Sequence, residues 1–153
     1  MLLVDFNGSE MILFGKGLGF HGKPGDIVEQ ESIEQIFIPL QTIKSRDFLA
    51  LTDTIPANFF DVTHSIVLLA QKEYEKPLNK VLLFTLAEHL YYAVERCSRG
   101  LNIPNKLSWE VKRYYKKEYD IGLAARNIAS SSFNINLPED EAVHIAFHLI
   151  NAS

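Results

Sequence analysis

The chain has 153 residues, 47% hydrophobic and 22% charged, a mixture that suits one domain, or one domain plus a small appendage, and excludes a mainly disordered chain. Fifteen Lys and Arg against nineteen Asp and Glu give a net charge of −4, so no global positive field draws the protein onto nucleic acid. The single cysteine, Cys97, excludes an internal disulfide and a Cys-based zinc site and fits a reducing compartment.

Six of the eight glycines fall within the first 25 residues, and short apolar runs punctuated by glycine turns predict antiparallel strands there. Leu2–Phe6 leads into Asn7-Gly8, a pair that tolerates the positive φ of a two-residue type I′ turn, and Met11–Phe14 is the returning strand. Lys23-Pro24-Gly25-Asp26 predicts a second turn. Ile33–Ile38 offers a third strand, although Glu31–Phe37 also reads as a helical turn. Three short strands with one apolar face need a partner surface, so this piece is expected to dimerise or to be incomplete.

From about Ser45 the periodicity turns helical. Ser45 caps a short helix through Leu51. Pro56 opens the next, with Phe60, His64, Val67, Leu68 and Lys72 at helical spacing and Pro77 as its stop. Asn79 caps a long helix, Lys80–Arg99, closed by Gly100. Leu107–Tyr115 and Tyr119–Ser131 read as a helix with a break. Pro138, followed by Glu139, Asp140 and Glu141, starts a last helix that runs to about Ala152. The expected fold class is α+β by segregated domains. A small antiparallel β piece spans residues 1–40, a linker 41–45, and an all-α antiparallel five-helix bundle 46–153.

The chemistry-bearing residues are mainly histidines. His89 sits on the stripe Leu82–Leu86–His89–Ala93, and His148 lies near the end of the last helix. Each reads either as a hydrogen-bonded group at the core edge or as a neutral, nucleophilic imidazole that receives a phosphoryl group. Spacing does not choose between the two. Glu141-Ala-Val-His144 is a Glu-x-x-His step, and His144 and His148 share a face at i, i+4. A di-iron bundle needs two such steps and two further glutamates, of which Asp61-Val-Thr-His64 is an imperfect echo. Ile145 stands where a zinc protease carries its general base. A metal-dependent helical-bundle enzyme on Glu141, His144 and His148 is therefore the lesser alternative; the expectation is no metal and no cofactor.

Lys112-Arg113-Tyr114-Tyr115-Lys116-Lys117 packs four cations and two aromatics into six residues. It is suited to phosphate contact and base stacking, but the expected reading is a solvated helix face with its aromatics turned inward. Gly15, Gly17 and Gly19 make no phosphate loop, because no Lys-Ser or Lys-Thr helix start follows. No Ser-His-Asp, Cys-His or paired-carboxylate arrangement stands out, so nothing argues for an enzyme. The start carries no signal-peptide pattern, and Val81–Ala87, the longest uncharged apolar stretch, is far short of the roughly 20 residues that cross a bilayer. A soluble cytoplasmic protein without membrane insertion is expected.

Gly15-Lys16-Gly17-Leu18-Gly19-Phe20, Lys23-Pro24-Gly25-Asp26 and Ile33-Glu34-Gln35-Ile36-Phe37 resemble the second half of the co-antiterminator RNA-binding domain that opens BglG/SacY/LicT-type transcriptional antiterminators. From about residue 45 the chain resembles the first PTS-regulation domain of the same proteins. Leu78-Asn79, Glu88-His89-Leu90, Ala93-Val94-Glu95-Arg96, Gly100-Leu101, Trp109-Glu110 and Lys117–Gly122 carry that resemblance. Its most specific part is Leu137–Ala142 running on to His148-Leu149-Ile150-Asn151-Ala152.

The resemblance implies a dimeric regulator of a sugar-utilisation operon that binds a leader-RNA hairpin and so prevents a terminator from forming. It implies control by phosphocarrier proteins of the phosphotransferase system, with His89 and His148 as phospho-acceptors and Gly15, Lys16, Gly17 and Phe20 as RNA contacts. Three kinds of departure limit what carries over: missing pieces, charge and two substitutions. The family's opening strand, with an RNA-contacting asparagine, has no counterpart, and the family's second regulation domain is absent, as expected of a fragment or a misplaced start. Through residue 40, Lys16 and Lys23 face Asp5, Glu10, Asp26, Glu29, Glu31 and Glu34, so RNA binding is expected to be weakened or lost. Glu88 replaces the usual Asp, and His144 takes a customary apolar position, where it competes for a partner of His148. A stand-alone phosphorylation-sensing domain that no longer binds RNA is the alternative function.

Overall fold

The structure is a computed structural model that describes residues 2–6, 9–14, 23–29, 33, 35–37 and 53–153. The chain divides into two compact units, Met1–Ala57 and Asn58–Ser153. In the first, β1 (Leu2–Phe6), β2 (Ser9–Phe14) and β3 (Gln35–Phe37) form an antiparallel sheet in the order β1-β2-β3. Leu2 pairs with Leu13 and Phe6 with Ser9; the turn expected at Asn7-Gly8 lies outside the described residues. Ile12 pairs with Phe37 and Phe14 with Gln35. The turn at Lys23–Asp26 is closed by the Asp26 amide on the Lys23 carbonyl at 3.0 Å, with Gly25 at φ +95°. A left-handed φ of this kind suits glycine, which has no Cβ to clash. Gly15, Lys16, Gly17 and Phe20, and the expected helix over 45–51, lie outside the described residues.

Helices dominate the rest: α1 (Ala57–Tyr74), α2 (Leu82–Ser98), α3 (Ser108–Tyr114), α4 (Lys116–Ser132) and α5 (Asp140–Ala152). Asp53 and Thr54 are helical as well. No helix among the described residues is long and apolar enough to cross a membrane.

The helix ends follow from local chemistry. α1 stops at Tyr74, before Pro77, as Glu75 turns left-handed at φ +56°. The Asn79 side chain accepts the Val81 amide at 3.0 Å and so leads the chain into α2. α2 closes on Gly100, whose φ of +72° lets Leu101 donate to Arg96 at 2.8 Å and Gly100 to Cys97 at 3.0 Å. That crossed pair satisfies carbonyls the helix would otherwise leave unpaired. Asn134, at φ +50°, ends α4 in the same way, with Ile135 donating to Ser130 at 3.0 Å.

The break between α3 and α4 is one residue, Tyr115 (φ −127°, ψ 49°), narrower than the sequence pattern suggests. The buried stripe of α1 is Phe59, Phe60, Thr63, His64, Ile66 and Ala70, whereas Leu68, expected on that stripe, is exposed. Fully burying a Leu, Ile or Phe contributes about 1.5–3 kcal/mol. The core is therefore anchored by Phe60, Ile66, Leu86, Leu90, Ile145 and Leu149, none of which reaches solvent.

α4 and α5 lie closest together. Gly122 on α4 is buried, and a Cβ built there would run into the Ala142 carbonyl of α5. Val111, Tyr119, Ala142, Val143 and Ala146 form the cluster at this junction, with Leu123 and Phe147 packed against it. α5 also meets α2 and α3, and the Asn79 amide donates to the Ala152 carbonyl at 3.0 Å, tying the end of α5 to the start of α2.

Candidate functional site: a histidine cleft around a buried carboxylate

Along α2, Leu82, Leu86 and Ala93 are buried at 2%, 0% and 3%, and the His89 side chain at the same stripe keeps 17% of its surface. On α5, Ala142, Ile145, Ala146 and Leu149 face the core. Helical periodicity leaves His144 and His148, four residues apart, at the edge of that face beside α2. The result is a cleft of about 370 Å³ lined by His89, Arg96, Ile103, His144, Phe147, His148 and Asn151.

Glu141 is the centre of the site. Its side chain is only 4% exposed, yet it accepts from His89 Nε2 at 2.7 Å and from His144 Nδ1 at 3.2 Å, and Arg96 stands 3.7 Å from its Oε1. A buried charge is tolerated only when it is paired in this way. Burial pushes the Glu141 carboxyl up, but hydrogen bonds from His144 and His89, followed by their charges, outweigh it and hold the group at about 2.

An ionised carboxylate only accepts hydrogen bonds, so the two ring nitrogens facing it carry protons. In the neutral rings the lone pairs then lie on Nδ1 of His89 and Nε2 of His144. The His148 ring is 5.0 Å from that of His89, and the His144 ring 5.7 Å from it. Burial, then repulsion from His89 and His144, pushes His148 down to about 4, against partial support from Glu141. His148 is therefore a neutral imidazole at pH 7.

His89 and His148, 59 positions apart in the chain, thus share one cleft. His144 has Glu141 as its partner, and so it shares the acceptor of His89 rather than competing for one with His148. The spacing Glu141-x-x-His144 was visible in the sequence; the reach of Glu141 across to His89 on another helix was not. Ile103, Phe147 and Asn151 carried no sequence signal for the cleft.

The Lys112–Lys117 segment departs from expectation. Tyr114 and Tyr115 are 66% and 46% exposed rather than turned inward, and neighbouring Trp109 is 60% exposed. Val111 is the buried residue of α3, so this short helix turns one position inward and leaves Trp109 and Tyr114 outside. Arg113 lies over the Trp109 ring at 5.1 Å and the Tyr114 ring at 5.6 Å. Only Tyr119, further along, turns in, and its hydroxyl donates to Glu139 at 2.6 Å.

Residues 64–152 match the PRD domain model, and residues 1–45 match the CAT RNA binding domain model. Transcription antiterminator LicT of Bacillus subtilis is 37% identical over 150 residues, covering 98% of this chain and 54% of that protein. The beta-glucoside operon antiterminator of Dickeya chrysanthemi is 38% identical, covering 98% of this chain and 53% of its own length. Transcription antiterminator LacT of Lacticaseibacillus casei is 28% identical over 152 residues, 99% of this chain and 52% of that protein. The chain therefore spans about half the length of these relatives. The crystal structure of GlcT CAT-PRDI superimposes with a TM-score of 0.83 at 26% identity, over 97% of this chain and 88% of that one. With the helical match covering well over half of the sequence and the CAT match ahead of it, the chain belongs to the PRD domain family, in the CAT–PRD arrangement of transcription antiterminators.

Proposed function

We propose that this chain is the RNA-binding and first regulatory part of a sugar-operon antiterminator, cytoplasmic and non-catalytic, acting as a homodimer on a leader-RNA hairpin. Residues 1–40 form the RNA-binding β piece, 41–45 the linker and 46–153 an antiparallel helical regulation domain. Gly15, Lys16, Gly17 and Phe20 contact RNA. Phosphocarrier proteins of the phosphotransferase system modify His89 and His148.

The observation that carries this reading is the pair of imidazoles 5.0 Å apart in one cleft, in a chain whose relatives are named antiterminators. The Nδ1 lone pair of His89 attacks the phosphorus of a donor phosphohistidine; the new P–N bond forms as the donor's breaks, and the donor imidazole leaves. The added group brings close to two negative charges. Glu141, already ionised within 2.7 Å of the same ring, repels it. Arg96, 3.7 Å from Glu141, is the cation placed to answer. The α2–α5 junction therefore changes its packing on modification, and the dimer and its RNA-binding pieces follow.

Replacing both histidines by Asp (His89→Asp with His148→Asp), a partial charge mimic, should change dimer packing in small-angle scattering and sedimentation; unaltered curves would overturn the mechanism. The acidic N-terminal segment, two lysines against six carboxylates through residue 40, favours a second reading, a phosphorylation sensor that has lost RNA binding. A gel-shift titration with the leader hairpin at low and high salt separates the two, since phosphate contacts are lost steeply as salt rises.

A further inference from the structure

His89, Glu141 and His144 form a hydrogen-bonded trio, and the same groups make a ligand set. The ring nitrogens and a carboxylate oxygen all lie within 4.8 Å of one another. Two imidazoles and one carboxylate are a donor set for zinc-like divalent cations, with one position left for water. Bonds of about 2.0–2.1 Å in a tetrahedral arrangement put neighbouring donors about 3.3 Å apart. His89 Nε2 lies 2.7 Å from Glu141 Oε2 and His144 Nδ1 lies 3.2 Å from Oε1, and one donor atom from each residue falls within 4.8 Å of the others, so the three residues converge on one point.

The surroundings agree. Glu141 is only 4% exposed and both ring N–H groups are aimed at it, so its carboxylate is fixed at the centre of the donor set. Glu141 and His144 are on one face of α5 at i, i+3, the spacing that metal-binding helical bundles use, and His89 comes from α2. The cleft opens beside them and supplies room for the fourth, exchangeable position. Arg96 opposes a dication at 3.7 Å from Glu141, but its side chain is 29% exposed and lines the open cleft, so it has somewhere to go.

We infer that His89 Nε2, Glu141 and His144 Nδ1 form a binding site for a zinc-like divalent transition-metal ion, and that its occupancy silences His89 as a nucleophile. The silencing follows from proton placement. Whenever the His89 ring is neutral in the metal-free cleft, its hydrogen bond to Glu141 places the proton on Nε2 and the lone pair on Nδ1. When Nε2 donates to the ion, the ring's one proton moves to Nδ1, and no lone pair remains on either nitrogen. His148 is outside the ligand set and keeps its own. If His89 is the phospho-acceptor proposed above, metal and phosphoryl group are alternative occupants of one residue. The metal site itself does not depend on that reading.

The test uses the whole chain, stripped by chelator and titrated with zinc chloride alone by calorimetry. One ion per chain is expected. His144→Ala, at a half-buried position, should keep the far-UV circular dichroism and lose affinity by about 10- to 100-fold or more, the scale seen when even an outer-shell partner of a metal ligand is removed. Diethyl pyrocarbonate, which acylates neutral imidazoles, reads the second half of the inference without any phosphotransfer. Peptide mapping should show zinc protecting His89 while His148 continues to react. Absence of saturable zinc uptake, or uptake by His144→Ala equal to wild type, overturns the site. Equal labelling of His89 with and without bound zinc overturns the silencing.

Discussion

The cleft around Glu141 and the exposed face from Trp109 to Lys117 both gather charges and aromatic rings, and they are built in opposite ways. In the cleft a carboxylate 4% exposed meets two histidines and an arginine within 3.7 Å. On the α3 face, Arg113 rests between two rings that are themselves 60% and 66% exposed. Water competes for every interaction on the second surface and for few in the first. The same inventory of residue types therefore carries different energies: large and interdependent in the cleft, small and separable on the face.

The sharpest way to break that contrast is Glu141→Ala. It leaves two ring N–H groups and a guanidinium facing a void, and removing one partner of a buried charge network costs about 3–5 kcal/mol. A urea midpoint within the scatter of wild type would place Glu141 with the surface charges. Next comes pH, measured with chelator present. Glu141 is held down from 4.5 to about 2, so its contribution is complete above pH 4.5 and is lost as pH falls towards 2. At 1.36 kcal/mol per unit that is about 3 kcal/mol.

His148 acts at higher pH. Its folded value of about 4 lies below the ordinary 6.5, so the unfolded chain binds the extra proton and stability falls as pH drops from 6.5 to 4. Being part-exposed, it should contribute less than Glu141. His148→Gln should flatten the 6.5-to-4 window and leave the lower one. A stability profile level from pH 7 to 3 would contradict both assignments.

What the sequence reveals differs between these regions for a physical reason. The helix ends at Asn79, Gly100 and Pro138 are local, since each depends on side-chain chemistry within a turn of the boundary, and each is readable. The placement of His89 and His148 on half-apolar stripes is periodic and also readable. The carboxylate between them is neither. Glu141 stands in an acidic first turn, where the helix dipole alone accounts for it, and only the crossing of α2 and α5 shows that it turns inward while Glu139 stays out. The aromatics of α3 escape the composition-based reading because this seven-residue helix buries Val111 alone, which leaves Trp109 and Tyr114 outside.

Gly122→Ala sharpens the comparison from the packing side. The added methyl meets the Ala142 carbonyl, next to Glu141, so α5 must back away from α4. Overpacking of this kind costs about 1–3 kcal/mol. Displacement of α5 should also loosen the His89–Glu141 bond, so the acid limb of the pH profile should shrink in this variant. If the midpoint falls while the acid limb is unchanged, the cleft is mechanically independent of the α4–α5 contact.

The smallest effect belongs to Arg113→Ala. The guanidinium over Trp109 and Tyr114 is an exposed cation–π contact of about 0.5–1 kcal/mol, and its loss exposes no unpaired buried group. Tryptophan occurs once in the chain, so fluorescence reports this site alone. The emission of Trp109 should change in the folded state, while the unfolding midpoint moves little and the pH profile not at all. A shift in that profile would mean that Arg113 acts on the cleft through α3 and α5, and the separation between buried and exposed charge drawn from these two regions would fail.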